Sequence, residues 1–255
     1  LPDLDLLIEA AREGGSIALR YWKRDPRVWE KPGDLGPVTE ADLAVNDALE
    51  QKLRQARPDY GWLSEESADD AARLTAERVF IVDPIDGTRA FMAGEDTFAI
   101  SLAVAERGAV VAAAVYLPAL DRLYAADGVA ALRDGKRIRA STRKGIEGAS
   151  LLTTRPNLMP EHWPGGVPQL RRSFRSSIAF RMCLVAEGRH DGMLSLRDSF
   201  EWDIAAGDLI ARRAGASVSD RRGAGLVFNQ PRPLAAGVLA AAPGLHDALL
   251  RRLSP

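Results

Sequence analysis

The sequence predicts a mixed α/β fold in which helices cover large sheets. Three observations carry this expectation. Residues 3–24 and 39–58 place apolar residues at helical spacing. Residues 78–128 hold successive β-rich apolar runs separated by Gly, Pro or Asp turns. From residue 150 onward, strand-like and helix-like segments alternate.

In chain order, the first helix carries Leu4, Leu7, Ile8, Ala11, Ala18, Leu19 and Trp22 on one stripe. "DPRVWEKPGDLGP" then reads as a Pro/Gly-rich loop. The second helix opens on a capping-box pattern, Thr39 to Asp42, and runs to Pro58. "YGWLSEES" is a short strand entering an acidic loop, and "RVFIVDP" is a strand that ends at aspartates. "TRAFMAG" has room for one helical turn. "TFAISLAVAERG", "VVAAAVYLP" and "RLYAADG" are strands. Residues 134–150 are polar and turn-rich, a candidate boundary between two halves. Beyond it come strand, helix and strand at "SLLTTRP", "SIAFRMCLVAEGR" and "DGMLSL". A helix at "WDIAAGDLIARRAGA", strands at "SVSD" and "GVLAAAP" and a closing helix complete the chain.

The bulk numbers suit a globular protein: 255 residues, 46% hydrophobic, 27% charged. A net charge of −1 gives no global attraction to nucleic acid or anionic membrane. Arginine supplies 29 of the 34 basic residues, a bias that reads mainly as genome composition, though arginine also suits phosphate recognition. Cys183 is the only cysteine, so an intrachain disulfide is excluded and a cytoplasmic home is expected. The longest apolar run, residues 109–117, is too short to span a bilayer as a helix.

Acidic residues recur at loop–strand junctions: Glu65 and Glu66 in "LSEES", Asp83 and Asp86 in "DPIDGT", Asp203 in "EWDIAAG". Gathered at strand ends, these hard oxygens suit Mg²⁺ or Mn²⁺. None of the three histidines lies in these stretches, which disfavours zinc. Pro84 pushes Asp83 towards an extended conformation, aiming both carboxylates and the Ile85 carbonyl to one side. Gly87 permits a tight turn, and Thr88 is a candidate N-cap whose following amides would cradle an anion. Singly, each residue has an ordinary reading as a turn aspartate, a solvated loop acid or a helix cap. Together they are equipment for phosphoryl chemistry.

These motifs identify a resemblance. "SEES", "VDPIDGT" and "EWDIAAG", with "VTEAD" upstream and "MCLVAEG" before the last, resemble the inositol monophosphatase family of Mg²⁺-dependent, lithium-sensitive phosphatases. The spacing of the aspartates differs from the D-x-D-G-T of haloacid-dehalogenase-like phosphatases. The resemblance covers nearly the whole chain. It implies a layered α/β (α+β) sandwich of two intimately packed halves, residues 1–140 and 141–255, commonly a homodimer. It implies two or three Mg²⁺ ions (or Mn²⁺) held by Glu65, Asp83, the Ile85 carbonyl, Asp86 and Asp203. Glu65 and Thr88 would activate the attacking water, with Asp42 supporting Thr88. The amides of Gly87 and Thr88 would bind the phosphate.

Within the family, "GTRAF" resembles the nucleotidase and histidinol-phosphate branches and "EWD" the nucleotidases, whereas "SSIAFRMCLVAEG" has the inositol-phosphatase length. A 3′(2′),5′-bisphosphate nucleotidase is expected, with inositol-1-phosphate and then histidinol-phosphate phosphatases as alternatives. Arg89, Arg155, Arg175 and Arg181 are candidates for a second phosphate. Ser176, Ser177 and Glu201 are candidates for substrate hydroxyls, by position in the family. Lys31 lies in the loop that approaches the site in relatives, and residues 31–37 are a candidate lid. A regulatory binding role is the non-enzymatic alternative; the intact acidic positions disfavour it.

Overall fold

The computed structural model describes residues 2–31, 33 and 36–253. The chain opens with α1 (Asp3–Tyr21). Next, β1 (Val28–Glu30) pairs antiparallel with β2 (Pro37–Thr39), which leads into α2 (Glu40–Ala56). A seven-stranded sheet follows in chain order: β3 (Gly61–Ser64), β4 (Arg78–Asp86), β5 (Ala99–Glu106), β6 (Ala109–Leu117), β7 (Arg122–Ala126), β8 (Ala131–Arg133) and β9 (Lys136–Arg137). Only β3 and β4 are parallel; the other neighbours are antiparallel. The short α3 (Thr88–Met92) sits between β4 and β5.

The rest of the chain supplies β10 (Ser150–Thr153), β11 (Arg171–Ser173), α4 (Ile178–Ala186), β12 (Gly192–Ser195), β13 (Ser199–Phe200) and α5 (Glu201–Arg213). It ends with β14 (Ser217–Ser219), β15 (Leu234–Ala235), β16 (Val238–Ala241) and α6 (Pro243–Leu250). A five-stranded sheet has the order β11-β10-β12-β16-β14, and β13 pairs separately with β15.

Strand alternation builds the layers, because successive side chains point to opposite faces. In β4, Phe80 and Val82 join α1 and α2 in one core, while Val79 and Ile81 face α4 and α5 in another. In β16, Val238 and Ala240 face that second core, and Leu239 and Ala241 face Trp163 and α6 on the far side. The result is helix, sheet, helix, sheet, helix. The central α4 and α5 are lined on the sheet side by small residues such as Ala103, Ala113, Ala205 and Ala206. Gly207 lets the two helices approach: a Cβ there would lie 2.7 Å from both Cβ and Sδ of Met182. Gly207→Ala is expected to cost roughly 1–3 kcal/mol by overpacking. Calorimetry should show a lower melting temperature with the secondary structure retained.

The capping box at Thr39 and Asp42 forms as expected. Three local expectations are corrected. The first helix ends at Tyr21, and its buried face is Leu6, Leu7, Ala10, Ala11, Gly14, Gly15 and Ala18, so Leu19 of the predicted stripe is exposed. The stretch read as an unbroken loop contains β1, paired to β2. Thr88 is the first residue of α3 rather than its cap, because Gly87 at φ 99° takes the left-handed cap position. Of the candidate lid, Pro32, Asp34 and Leu35 lie outside the described residues. Among the described residues, no helix is long and apolar enough to cross a membrane.

Candidate active site

The site lies where β3, β4 and the N-termini of α3, α4 and α5 meet. Parallel pairing of β3 with β4 places Glu65 just past the strand end, where its amide donates to the Val82 carbonyl (3.2 Å). The β4–β5 ladder is irregular between Asp83 and Asp86, the Pro84 position, and both aspartates are buried. Asp203 sits in the first turn of α5, where the helix dipole favours a negative group. Carboxylate oxygens of Glu65, Asp83 and Asp203 all lie within 4.8 Å of one another.

Asp86 is held separately. Its carboxylate accepts from the Ser177 hydroxyl (2.6 Å) and from the amides of Ile178 (3.2 Å) and Ala179 (2.7 Å) at the start of α4. Ser177 also caps α4 by accepting from the Phe180 amide (2.9 Å). On the other side of the cluster, Lys31 Nζ lies 2.6 Å from Glu65 and 2.6 Å from Glu66. Behind Thr88, the buried Asp42 accepts from the Thr39 amide (2.8 Å) and the Thr88 hydroxyl (3.2 Å).

The electrostatics follow from this crowding. Burial first, then the neighbouring carboxylates, raises Asp83 and Asp203 well above the usual carboxylate range. Burial lifts Asp86 to about 6 despite its Ser177 and backbone donors, and lifts Asp42 to about 6 against its Thr39 donors. Burial also lifts Glu66 to about 7, opposed by Lys31. Burial lowers Lys31, but Glu65 and Glu66 outweigh it and raise the amine to about 12. One lysine does not neutralise this many acids. The donors are all oxygens, and the residues fit a hard divalent cation.

A pH effect follows. Carboxylates raised in the folded protein stabilise it fully below about pH 4, and this contribution fades as pH rises through about 6. A divalent cation must displace the same protons. The melting-temperature gain on adding Mg²⁺ is therefore expected to grow from pH 5 to pH 7.5. Calorimetry with Mg²⁺ and with chelator would check this.

Lys31, Glu65, Asp83, Ile85, Asp86, Gly87, Thr88, Arg89, Ser176 and Asp203 all line one cavity of about 390 Å³. Two candidates for substrate contact are corrected. Ser177 is fully buried with its hydroxyl engaged on Asp86 and Phe180. Glu201 is buried and accepts from the amides of Asn229 (2.6 Å) and Gln230 (2.9 Å), so it clamps a loop. Arg181 is likewise engaged: it donates to the carbonyls of Arg175 and Ser176 and lies over the Phe174 ring. Arg155 and Arg175 do not line the cavity. The cavity is also lined by Ile178, Arg197, Asp198, Phe200 and Trp202, which sequence reasoning does not single out as site residues. The signal available is the segment "RDSF" leading directly into the "EWD" motif.

A sequence profile of the inositol monophosphatase family matches residues 2–254. The chain belongs to the inositol monophosphatase family. Members of that family are metal-dependent phosphatases, in keeping with the acidic cluster. An inositol-1-monophosphatase of Rhizobium meliloti (strain 1021) is 34% identical over 92% of this chain and 89% of its own length. Nus factor SuhB of Pasteurella multocida (strain Pm70) is 31% identical over 100% of this chain and 96% of its own. Among solved structures, Thermotoga maritima IMPase superposes with a TM-score of 0.85 at 28% identity, covering 98% of this chain and 96% of that one. The fold is thus that of the family.

Proposed function

We propose that the protein is a Mg²⁺-dependent phosphomonoesterase acting on a 3′(2′),5′-bisphosphate nucleotide. The observation that carries this reading is a pair of guanidiniums on the cavity that holds the acidic cluster. Arg89 and Arg197 both line it, and among the described residues neither side chain makes a hydrogen bond or ion pair, although the charge of Arg197 acts on Asp203. Guanidiniums not tied up in hydrogen bonds or ion pairs suit the phosphate that is kept.

Glu65, Asp83, the Ile85 carbonyl, Asp86 and Asp203 would hold the metal, in two or three positions. When bound, the cation supplies Lewis acidity towards the phosphate oxygens and the attacking water. The amides of Gly87 and Thr88, which line the cavity at the mouth of α3, would bind the phosphate. Thr88 takes up the water's proton as its own moves to Asp42, and Glu65 orients the water. Lithium sensitivity, a homodimer, a cytoplasmic setting and two functional halves belong to the same reading.

The names of the relatives favour a second substrate, inositol 1-phosphate. Phosphate release with Mg²⁺ separates the two. The proposal expects adenosine 3′,5′-bisphosphate to be preferred, and Arg197→Gln to raise its KM. A preference for inositol 1-phosphate would replace the nucleotide reading. The name Nus factor SuhB on other relatives points to a binding role; such a role in this chain would survive Asp83→Asn in a complementation assay.

A further inference from the structure

Beside the acidic cluster, Phe200 and Trp202 stack face to face, with ring centroids 4.5 Å apart and planes 6° from parallel. Both are half-buried and both line the catalytic cavity. We infer that this pair is a docking face for a flat aromatic ring, which takes the base of the substrate. The inference rests on the nucleotide reading above and deepens it.

The pair is fixed before any ligand arrives. Phe200 is paired to Leu234 in the β13–β15 ladder. The Glu201 amide between the two aromatics donates to the Pro233 carbonyl (3.0 Å). Its carboxylate holds the amides of Asn229 and Gln230. Trp202 packs against the central core. Glu201, which reaches no substrate, is therefore a positioning residue for the aromatic wall. Side chains immobilised in this way lose little freedom when a ring is added to the stack.

Two further features suit a nucleotide. Arg197 lies on the same segment, three residues before Phe200, and lines the same cavity. A cavity of about 390 Å³ lies within the range of small-ligand pockets and exceeds what a bare phosphate requires. A base continues the stack with its whole π face, whereas a sugar or cyclitol meets it only through C–H edges.

The test compares adenosine 3′,5′-bisphosphate with ribose 3,5-bisphosphate, which lacks the base. Phosphate release is measured for the wild type, Phe200→Leu and Phe200→Tyr. Tryptophan fluorescence is also followed on adding adenosine 5′-monophosphate or ribose 5-phosphate. The wild type is expected to prefer the base-bearing substrate through KM. Phe200→Leu, which keeps apolar bulk without a flat face, should lower that preference roughly tenfold. Phe200→Tyr should keep it. Adenosine 5′-monophosphate should quench fluorescence, and less so in Phe200→Leu. Equal losses on both bisphosphates, or a wild type indifferent to the base, would overturn the docking face and leave the bisphosphate reading standing. If neither bisphosphate is hydrolysed, that reading fails, and the quenching decides the docking face alone. Equal response to the two monophosphates would then sink it.

Discussion

Asp83→Asn is expected to abolish phosphate release and yet to make the metal-free protein more stable. The loss should exceed the roughly 10–100-fold typical of groups that only orient a ligand. Asp83 itself belongs to the triad of carboxylates that converge within 4.8 Å. The stability gain follows from the same geometry. Asp83 is buried, and its ionisation is opposed first by burial and then by Glu65, Asp86 and Asp203. Asparagine removes one negative charge from this group. It also keeps an oxygen for the Ile85 amide, which donates to Asp83 at 3.0 Å. In chelator the variant should melt higher than the wild type by roughly 2–6 °C. Mg²⁺ should raise the wild-type melting temperature and scarcely move the variant's. A variant that melts lower than the wild type in chelator would show that the cluster is not under electrostatic strain.

The contrast between activity and stability at Asp83 also shows what a sequence can carry. Acidic residues at strand ends, without histidine or cysteine nearby, name a hard-cation site from residue chemistry alone. The Thr39–Asp42 capping box is equally legible, because its partners are three residues apart and act through one helical turn. Contacts closed over long separations are different. Ser177 reaches Asp86 across 91 positions, and its hydroxyl is then unavailable to substrate. Glu201 looks like a free acid in front of a tryptophan, until the fold brings Asn229 and Gln230 over it. Lys31 meets Glu65 and Glu66 only once β1, β2 and β3 are placed. The cap of α3 went to Gly87 because a left-handed residue was needed at that point. Local side-chain preference favoured Thr88 instead. Local chemistry is written in the chain, whereas the use made of each polar atom depends on what tertiary packing delivers to it.

Thr88→Val tests the second half of the site, where a proton rather than a charge is at stake. Thr88 Oγ1 lies 3.2 Å from Asp42 Oδ1 and 3.2 Å from the Ile85 carbonyl. A hydroxyl has a single proton, so it serves one of these acceptors at a time. When it donates to Asp42, its lone pairs are free to accept a proton, and Thr88 lines the cavity. Asp42 is well placed as the final acceptor. It is buried, raised to about 6 chiefly by that burial, and held by the Thr39 amide and hydroxyl. Valine has nearly the shape of threonine but no proton to pass. It should lower kcat by roughly 10²–10⁴-fold with a smaller change in KM. Thr88→Ser restores the hydroxyl and should recover most of the rate. Asp42→Asn should lose rate as well, but with a stability cost, since an amide has one acceptor oxygen to share between the capping box and Thr88. Steady-state kinetics and melting curves on the three variants separate the roles. A Thr88→Val enzyme within about threefold of wild-type kcat would remove Thr88 from the proton path, since that change lies far below the range for general base catalysis.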